Sequence, residues 1–314
     1  MTEDINSAEV NEEMEHLTLA SLQTKPKDQD GSRFWAVLIG VDGDPHYPLH
    51  GCVSDAGLME KYLVEDLGVP SDHIQRLLGP TGGETPTTLH SLIDNADILP
   101  GDNIIVYFAG NGARYDAEEY YRNRVPLEFS LASIRPLNVL CPLDRAARDD
   151  NRSEILDISV REIEAIFTQI SQQKGQKITL ILDCGHSCAR IRGVPPIGTR
   201  HPFRNVSPLL RHAIEPMLEA YPQYLAGRSV AAYDWQPDMS SHVVLAACQK
   251  NEYAQEEEYD EETTHGIFTK SLVDSLRSGQ GSTYVDLIAG LSKWPDQTPF
   301  VAGDHKDEPI WYQE

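Results

Sequence analysis

From Phe34 onward the chain alternates short apolar runs with longer stretches whose apolar positions recur near helical spacing, the pattern of a mostly parallel sheet covered on both faces. Phe34-Trp35-Ala36-Val37-Leu38-Ile39-Gly40 predicts the first strand. Cys52 to Leu67 predicts a helix through Leu58, Met59, Tyr62, Leu63 and Leu67, with Gly68 ending it and Pro70 beyond. Ile74 to Leu78 reads as a short strand, and Thr85-Pro86-Thr87 opens a second helix to about Ala96, because threonine caps well and proline is tolerated in the first turn. Asn103 to Ala109 and Lys177 to Asp183 read as fully buried strands, with a helix from Ile158 to Ser171 before the second. His242 to Cys248 is a fifth strand, followed by an acidic loop over Glu252 to Glu262 and helices at Gly266 to Leu276 and Tyr284 to Leu291. Pro299-Phe300-Val301 and Ile310-Trp311-Tyr312 are candidates for added edge strand, whereas 113–138 reads as irregular. Residues 190–240, rich in Pro, His and Arg, read as a long loop insertion with one helix near 207–220.

Five strands with intervening helices and no repeat predict one doubly wound α/β domain over 32–314, the central sheet mostly parallel and flanked by helices. Chemistry in such sheets lies just beyond the carboxyl ends of the strands. That places attention on Gly40-Val41-Asp42, Gly110-Asn111-Gly112, Asp183 to Cys188, and Cys248 onward. Residues 1–31 are polar and acidic, a composition that does not offset the entropy of ordering, and predict a disordered tail. Met14, Leu17, Leu19 and Leu22 there allow one transient amphipathic turn.

Charge narrows the choice of partners. Lys+Arg of 26 against Asp+Glu of 49 gives a formal charge of −23, which disfavours nucleic acid and anionic membranes and favours basic partners. No apolar run nears the roughly 18 residues that span a bilayer, and Met1-Thr2-Glu3-Asp4 has no basic start, so a soluble cytoplasmic protein is expected. The five cysteines, paired in sequence only as Cys184 and Cys188, predict reduced thiols rather than a disulfide framework or a zinc site.

At the strand ends the sequence resembles the caspase-type cysteine peptidases and, within them, the metacaspases, especially the fungal caspase-domain proteins. The resemblance is carried by Leu49-His50-Gly51-Cys52-Val53-Ser54-Asp55-Ala56, Tyr107-Phe108-Ala109-Gly110-Asn111-Gly112, Leu182-Asp183-Cys184-Gly185-His186-Ser187 and His265-Gly266-Ile267-Phe268-Thr269, and it runs from about Phe34 to Trp311. It implies a caspase-like fold and a Cys–His dyad, with the histidine after the third strand and the cysteine after the fourth. The histidine position here is Asn111 and the cysteine position is Gly185. An amide does not take a proton near neutral pH and glycine has no side chain, so the family's route to an acyl-enzyme is closed. The motif glycine after Ser187 is also replaced, by Cys188.

Neighbouring groups offer poor substitutes. Strand alternation puts Cys184 on the face opposite Asp183 and position 185, a packing thiol, and Cys188 lies three residues on, an ordinary loop thiol. His50, His186 and His265 are the nearby histidines, none evidently placed as a base.

The resemblance also implies an acidic pocket for Arg or Lys at Asp55 and Asp183, with Cys52 beside them, and an oxyanion donor at the Gly112 N–H. Two plainer readings stand beside these: Asp55 caps the first helix and Asp183 holds loop amides, while Gly112 serves a turn. Many metacaspases hold calcium. Asp149, Asp150 and Asp157 occupy one part of that region, but Ala189-Arg190-Ile191-Arg192 opposes a cation, so neither a metal site nor a cofactor is expected. The Glu252 to Glu262 run reads as a solvated loop, or as a device that steers a basic partner.

The expectation is therefore a caspase-fold pseudopeptidase that engages a basic peptide or protein segment, or an active paralogue, without cutting it. The alternative is an active endopeptidase cleaving after Arg or Lys with a non-standard dyad.

Overall fold

Every residue of β1 (Phe34–Gly40) is buried, as an uninterrupted apolar run must be when its strand is covered on both faces. The structure, a computed structural model, describes residues 30–43, 48–79, 84–145, 155–185, 198–200, 214–219, 229–249, 252–259 and 263–313. After β1, α1 (Cys52–Lys61) continues through one π-helical turn, Tyr62–Asp66, towards Gly68, whose φ of +71° is available to glycine at no steric cost. Next come β2 (Ile74–Leu78), α2 (Glu84–Asp94), β3 (Asn103–Ala109), β4 (Gly112–Tyr115), the single turn α3 (Glu118–Tyr121), β5 (Leu137–Leu140) and β6 (Ile158–Ser159). The order continues with α4 (Val160–Lys174), β7 (Ile178–Asp183), β8 (Thr199–Arg200), α5 (Ile214–Glu219) and β9 (Val243–Ala246). Last are β10 (Ala254–Glu258), β11 (Thr264–Gly266), α6 (Ile267–Ser278), α7 (Tyr284–Gly290) and β12 (Phe300–Ala302).

Six strands form the central sheet in the order β12-β9-β7-β3-β1-β2, parallel apart from β12 at one edge. Alternation along the strands splits the core in two. Ala36, Leu38, Ile105 and Tyr107 meet Met59 of α1, Phe268 of α6 and Leu287 of α7 on one face. Val37, Ile39, Val106 and Phe108 meet Leu89 of α2 and Phe167 of α4 on the other. Each Val, Leu, Ile, Met or Phe among them contributes about 1.5–3 kcal/mol when fully buried. The expected mostly parallel, helix-flanked sheet is the one observed, and no helix among the described residues is long and apolar enough to cross a membrane.

Several local expectations need correction. The stretch 113–138 is not irregular throughout: β4 pairs antiparallel with β5, which pairs with β6, in a small separate sheet. Ile158 and Ser159 belong to β6 rather than to the helix, and Ser159 caps α4 by accepting from the Arg161 N–H at 3.2 Å. Helix α2 begins at Glu84, and the buried Thr85 hydroxyl has no partner, so it does not cap. Part of the acidic run is strand β10, antiparallel to β11. Ile310–Tyr312 is a 3₁₀ turn, with Trp311 and Tyr312 at φ of +56° and +54°, which no strand allows. The tail expected over 1–31 lies outside the described residues up to 29, and Gly31 is already buried against the Gly68 carbonyl. Most of 190–240 also lies outside them.

One pH dependence follows from the packing of α4. Burial pushes the Glu164 carboxyl up to about 8, and its Oε2 has no partner. The folded state then holds this proton more tightly than the unfolded chain does, so the contribution is present below about pH 4.5 and is lost as pH rises to about 8. Urea midpoints should therefore fall between pH 5 and pH 8, and, because burial also pushes the neighbouring Glu162 carboxyl up to about 7, Glu164→Gln should remove part of that slope and a further Glu162→Gln more of it. A slope unchanged by the substitution would refute the assignment.

Candidate functional site

Strands β3 and β7 run side by side with Ala109 opposite Asp183. Asn111 and Gly185 each lie two residues further on, at neighbouring strand ends, where adjacent strands are about 4.8 Å apart. Both are buried. Asn111 accepts the Cys141 N–H on its carbonyl at 3.0 Å, and Gly112 opens β4 opposite Leu140. The two positions thus follow a pair of facing strand residues, but they bring an amide and a hydrogen where a thiol and an imidazole would be needed for nucleophilic catalysis.

Beside them lies a cluster of carboxylates. Asp55, in the first turn of α1, and Asp183, at the end of β7, converge on the guanidinium of Arg200, and all three side chains are fully buried. Arg200 Nη1 lies 2.7 Å from Asp183 Oδ2, and Nη2 donates to Asp55 Oδ2 and lies 3.7 Å from Glu256 Oε2 on β10. Asp55 also accepts from the Gly266 N–H at 2.8 Å and meets His265 Nδ1 at 2.9 Å. Asp183 accepts from the Thr269 N–H at 3.2 Å and from its hydroxyl at 2.6 Å, and the Tyr107 hydroxyl meets Thr269 Oγ1 at 2.6 Å. Burial pushes the Asp183 carboxyl above the usual carboxylate range; the Arg200 guanidinium opposes this and Asp55 adds to it.

Local sequence explains the arrangement. A Cβ on Gly266 would overlap Asp183 Oδ2 and the Arg200 guanidinium, so His265-Gly266 needs its glycine to let the cation lie against the backbone. Glu256 accepts the His50 and Gly51 N–H groups at 3.1 Å each, tying the Leu49-His50-Gly51 stretch to β10. Asp55 does not cap α1. That role falls to Asp42, whose two oxygens take the Cys52 and Val53 N–H groups at 2.9 and 3.0 Å.

The described thiols are poorly suited to chemistry. Cys52, Cys141, Cys184 and Cys248 are free and buried, and burial raises the Cys52, Cys184 and Cys248 thiols well above their ordinary range. Cys184 packs on the α4 side of the sheet, lining with Cys248 and Glu164 a cavity of about 390 Å³ on the face away from Asp183. Asp157 is engaged by Arg145, at 2.8 and 2.5 Å, and by the Tyr115 hydroxyl at 2.5 Å. Asp149, Asp150, His186 and Cys188 lie outside the described residues.

Of the residues singled out in the sequence, Asp55, Asp183 and Cys52 gather around one cation, with Asn111 and Gly185 at the strand ends beside it. Sequence reasoning missed Arg200, and it named Asp42, Thr269 and the run that holds Glu256 without giving any of them these contacts. Asp42, two residues past a buried strand, carried a readable signal; Arg200, inside a Pro-, His- and Arg-rich stretch, carried none.

Comparison with known proteins places this geometry. A family model described as the caspase domain matches residues 33–293. Metacaspase-9 of Arabidopsis thaliana is 27% identical over 198 residues, 58% of this chain and 53% of that protein, so the chain spans about half the length of this curated relative. Among solved structures, protein GSU0716 from Geobacter sulfurreducens aligns with a TM-score of 0.57 at 15% identity, covering 88% of this chain and 98% of that one. Caspase-1 from Spodoptera frugiperda aligns at a TM-score of 0.45 and 10% identity, covering 88% of each chain.

Proposed function

The chain belongs to the caspase-domain family and is metacaspase-like in sequence, and from that membership we propose that it is a non-catalytic member, a binding or regulatory protein whose cleft suits basic peptides. The observation that carries this reading is the pair Asn111 and Gly185 at adjoining strand ends, next to carboxylates that converge on a guanidinium. Acyl transfer needs a thiolate and a proton acceptor within about 3 Å. Asn111 and Gly185 supply neither. What the site retains is recognition: two buried carboxylates facing one guanidinium discriminate strongly for a fixed cation. A basic segment of another protein, or of an active paralogue, is the ligand class this suits.

One contact favours the alternative of a working endopeptidase with a non-standard dyad: Asp55 meets His265 at 2.9 Å, the way a carboxylate orients a general base. Against it stand the raised thiols of Cys52, Cys184 and Cys248, which lack the thiolate character a nucleophile needs. The test is turnover of fluorogenic peptides ending in Arg or Lys, with and without calcium. No turnover is expected in either condition. Turnover abolished by Cys52→Ala or Cys188→Ala, with the fold retained, would make the alternative correct.

A further inference from the structure

The cavity of about 390 Å³ beside α4 lies on the face of the sheet away from Asp183, and the cleft makes no use of it. Regular elements build its walls: Val160 and Glu164 come from α4, Leu182 from β7, Val244 and Ala246 from β9, and Phe300 from β12. The lining is apolar over most of these positions. Glu164 and Arg135 add one group of each charge to it, and Arg114 of β4 adds a second guanidinium.

Glu164 stands apart from the other charged groups. Its Oε2 is buried without a partner, and burial holds the carboxyl up at about 8 although Arg161 and Arg135 both lower it. Arg161 lies three residues earlier on the same face of α4 and could have paired with it. Its donors go elsewhere, to the Tyr121 hydroxyl at 3.1 Å and to the Val230 and Arg135 carbonyls at 2.9 and 3.3 Å. The last of these bonds ties the Arg135 backbone beside α4, and the exposed Arg135 side chain is near enough to act on the Glu164 carboxyl. A buried acceptor left unmatched is costly, and a donor brought by a ligand removes that cost.

We infer that this cavity binds an apolar α-amino acid, with its ammonium on Glu164, its carboxylate on Arg135 and its side chain over Leu182, Val244 and Phe300. An α-amino acid carries opposite charges on neighbouring groups, as the cavity does. A simple carboxylate leaves the Glu164 oxygen unmatched, and a simple amine sits against two guanidiniums with no charge to offer them. An apolar lining with a few placed polar groups, at this volume, is the usual form of a small-molecule site. The inference is independent of the reading of the cleft.

The test titrates the full chain by isothermal calorimetry at about pH 8, where Glu164 is half ionised. The ligands are L-phenylalanine, phenylethylamine and phenylpropionate, which share the ring and differ in charge. L-phenylalanine should bind at least about tenfold more tightly than either analogue, since each lacks one charge-assisted contact. Glu164→Gln should abolish its advantage over phenylpropionate, and Arg135→Ala its advantage over phenylethylamine, each leaving the other preference in place. A chain that takes up none of the three, as one whose cavity is covered by a second copy would, overturns the proposal. So does a preference for phenylpropionate, which would show Glu164 keeping its proton and joining Arg135 against an anion. Preferences that survive in either folded variant would overturn the assignment as well.

Discussion

The double substitution Asn111→His with Gly185→Cys is expected to give a chain that cuts itself after Arg200, yielding fragments 1–200 and 201–314 by intact mass. The two positions follow Ala109 and Asp183, which sit opposite each other in neighbouring strands, so a new imidazole and thiol would start one strand spacing apart. The arginine already seated between Asp55 and Asp183 is the residue after which cleavage is expected. Each single variant should remain intact, because a thiol and its base act as a unit. Cleavage should be slow, since a displacement of about 1 Å costs about a hundredfold in rate. A folded double variant that stays intact and is not labelled by an arginine chloromethyl ketone would show the strand ends to be remodelled beyond repair.

Removing the guanidinium is expected to have the largest effect on stability. Arg200→Ala leaves Asp55, Asp183 and Glu256 facing one another, with the two aspartates fully buried. Breaking a buried ion pair from one side costs about 3–5 kcal/mol, most of it the penalty of the charges left behind. The loss should therefore shrink when Asp183→Asn is introduced into the Arg200→Ala background, although Asp183→Asn alone destabilises, and urea denaturation of the four chains would measure that non-additivity. Acidification gives a second check. In Arg200→Ala the uncompensated carboxyls bind protons more tightly folded than unfolded, so stability should rise as pH falls from 7 towards 5. Additive losses, or a variant that weakens on acidification across that range, would refute this account of the cluster.

How much of this was legible depends on length. Strands β1, β3 and β7 are runs of six or seven buried residues, and nothing but a sheet covered on both faces accommodates them. Strand β6 has two residues and β8 has two, too few for alternation to register. Strand β10 reads Ala-Gln-Glu-Glu-Glu, which composition assigns to solvent; its pairing with β8 and β11 is a tertiary fact. The site divides in the same way. Asp55, Asp183, Asn111 and Gly185 lie at strand ends or the first turn of a helix, where topology alone brings them together. Arg200 and Glu256 come from elements whose partners lie 145 and 206 residues away in sequence, and only the folded backbone puts them in the cleft.

The glutamates of β10 have a further consequence for colloidal behaviour. A strand whose neighbour departs offers a row of unpaired N–H and C=O groups to any other copy, the usual start of sheet-to-sheet aggregation. Were β8 absent, β10 would be such a strand, but Glu257 and Glu258 project from it exposed, and Glu256 lies beside them in the cleft. Two copies meeting edge to edge would bring these like charges together, whereas a positively charged strand would meet none of that repulsion. Glu257 and Glu258 thus guard this edge against pairing with a second copy.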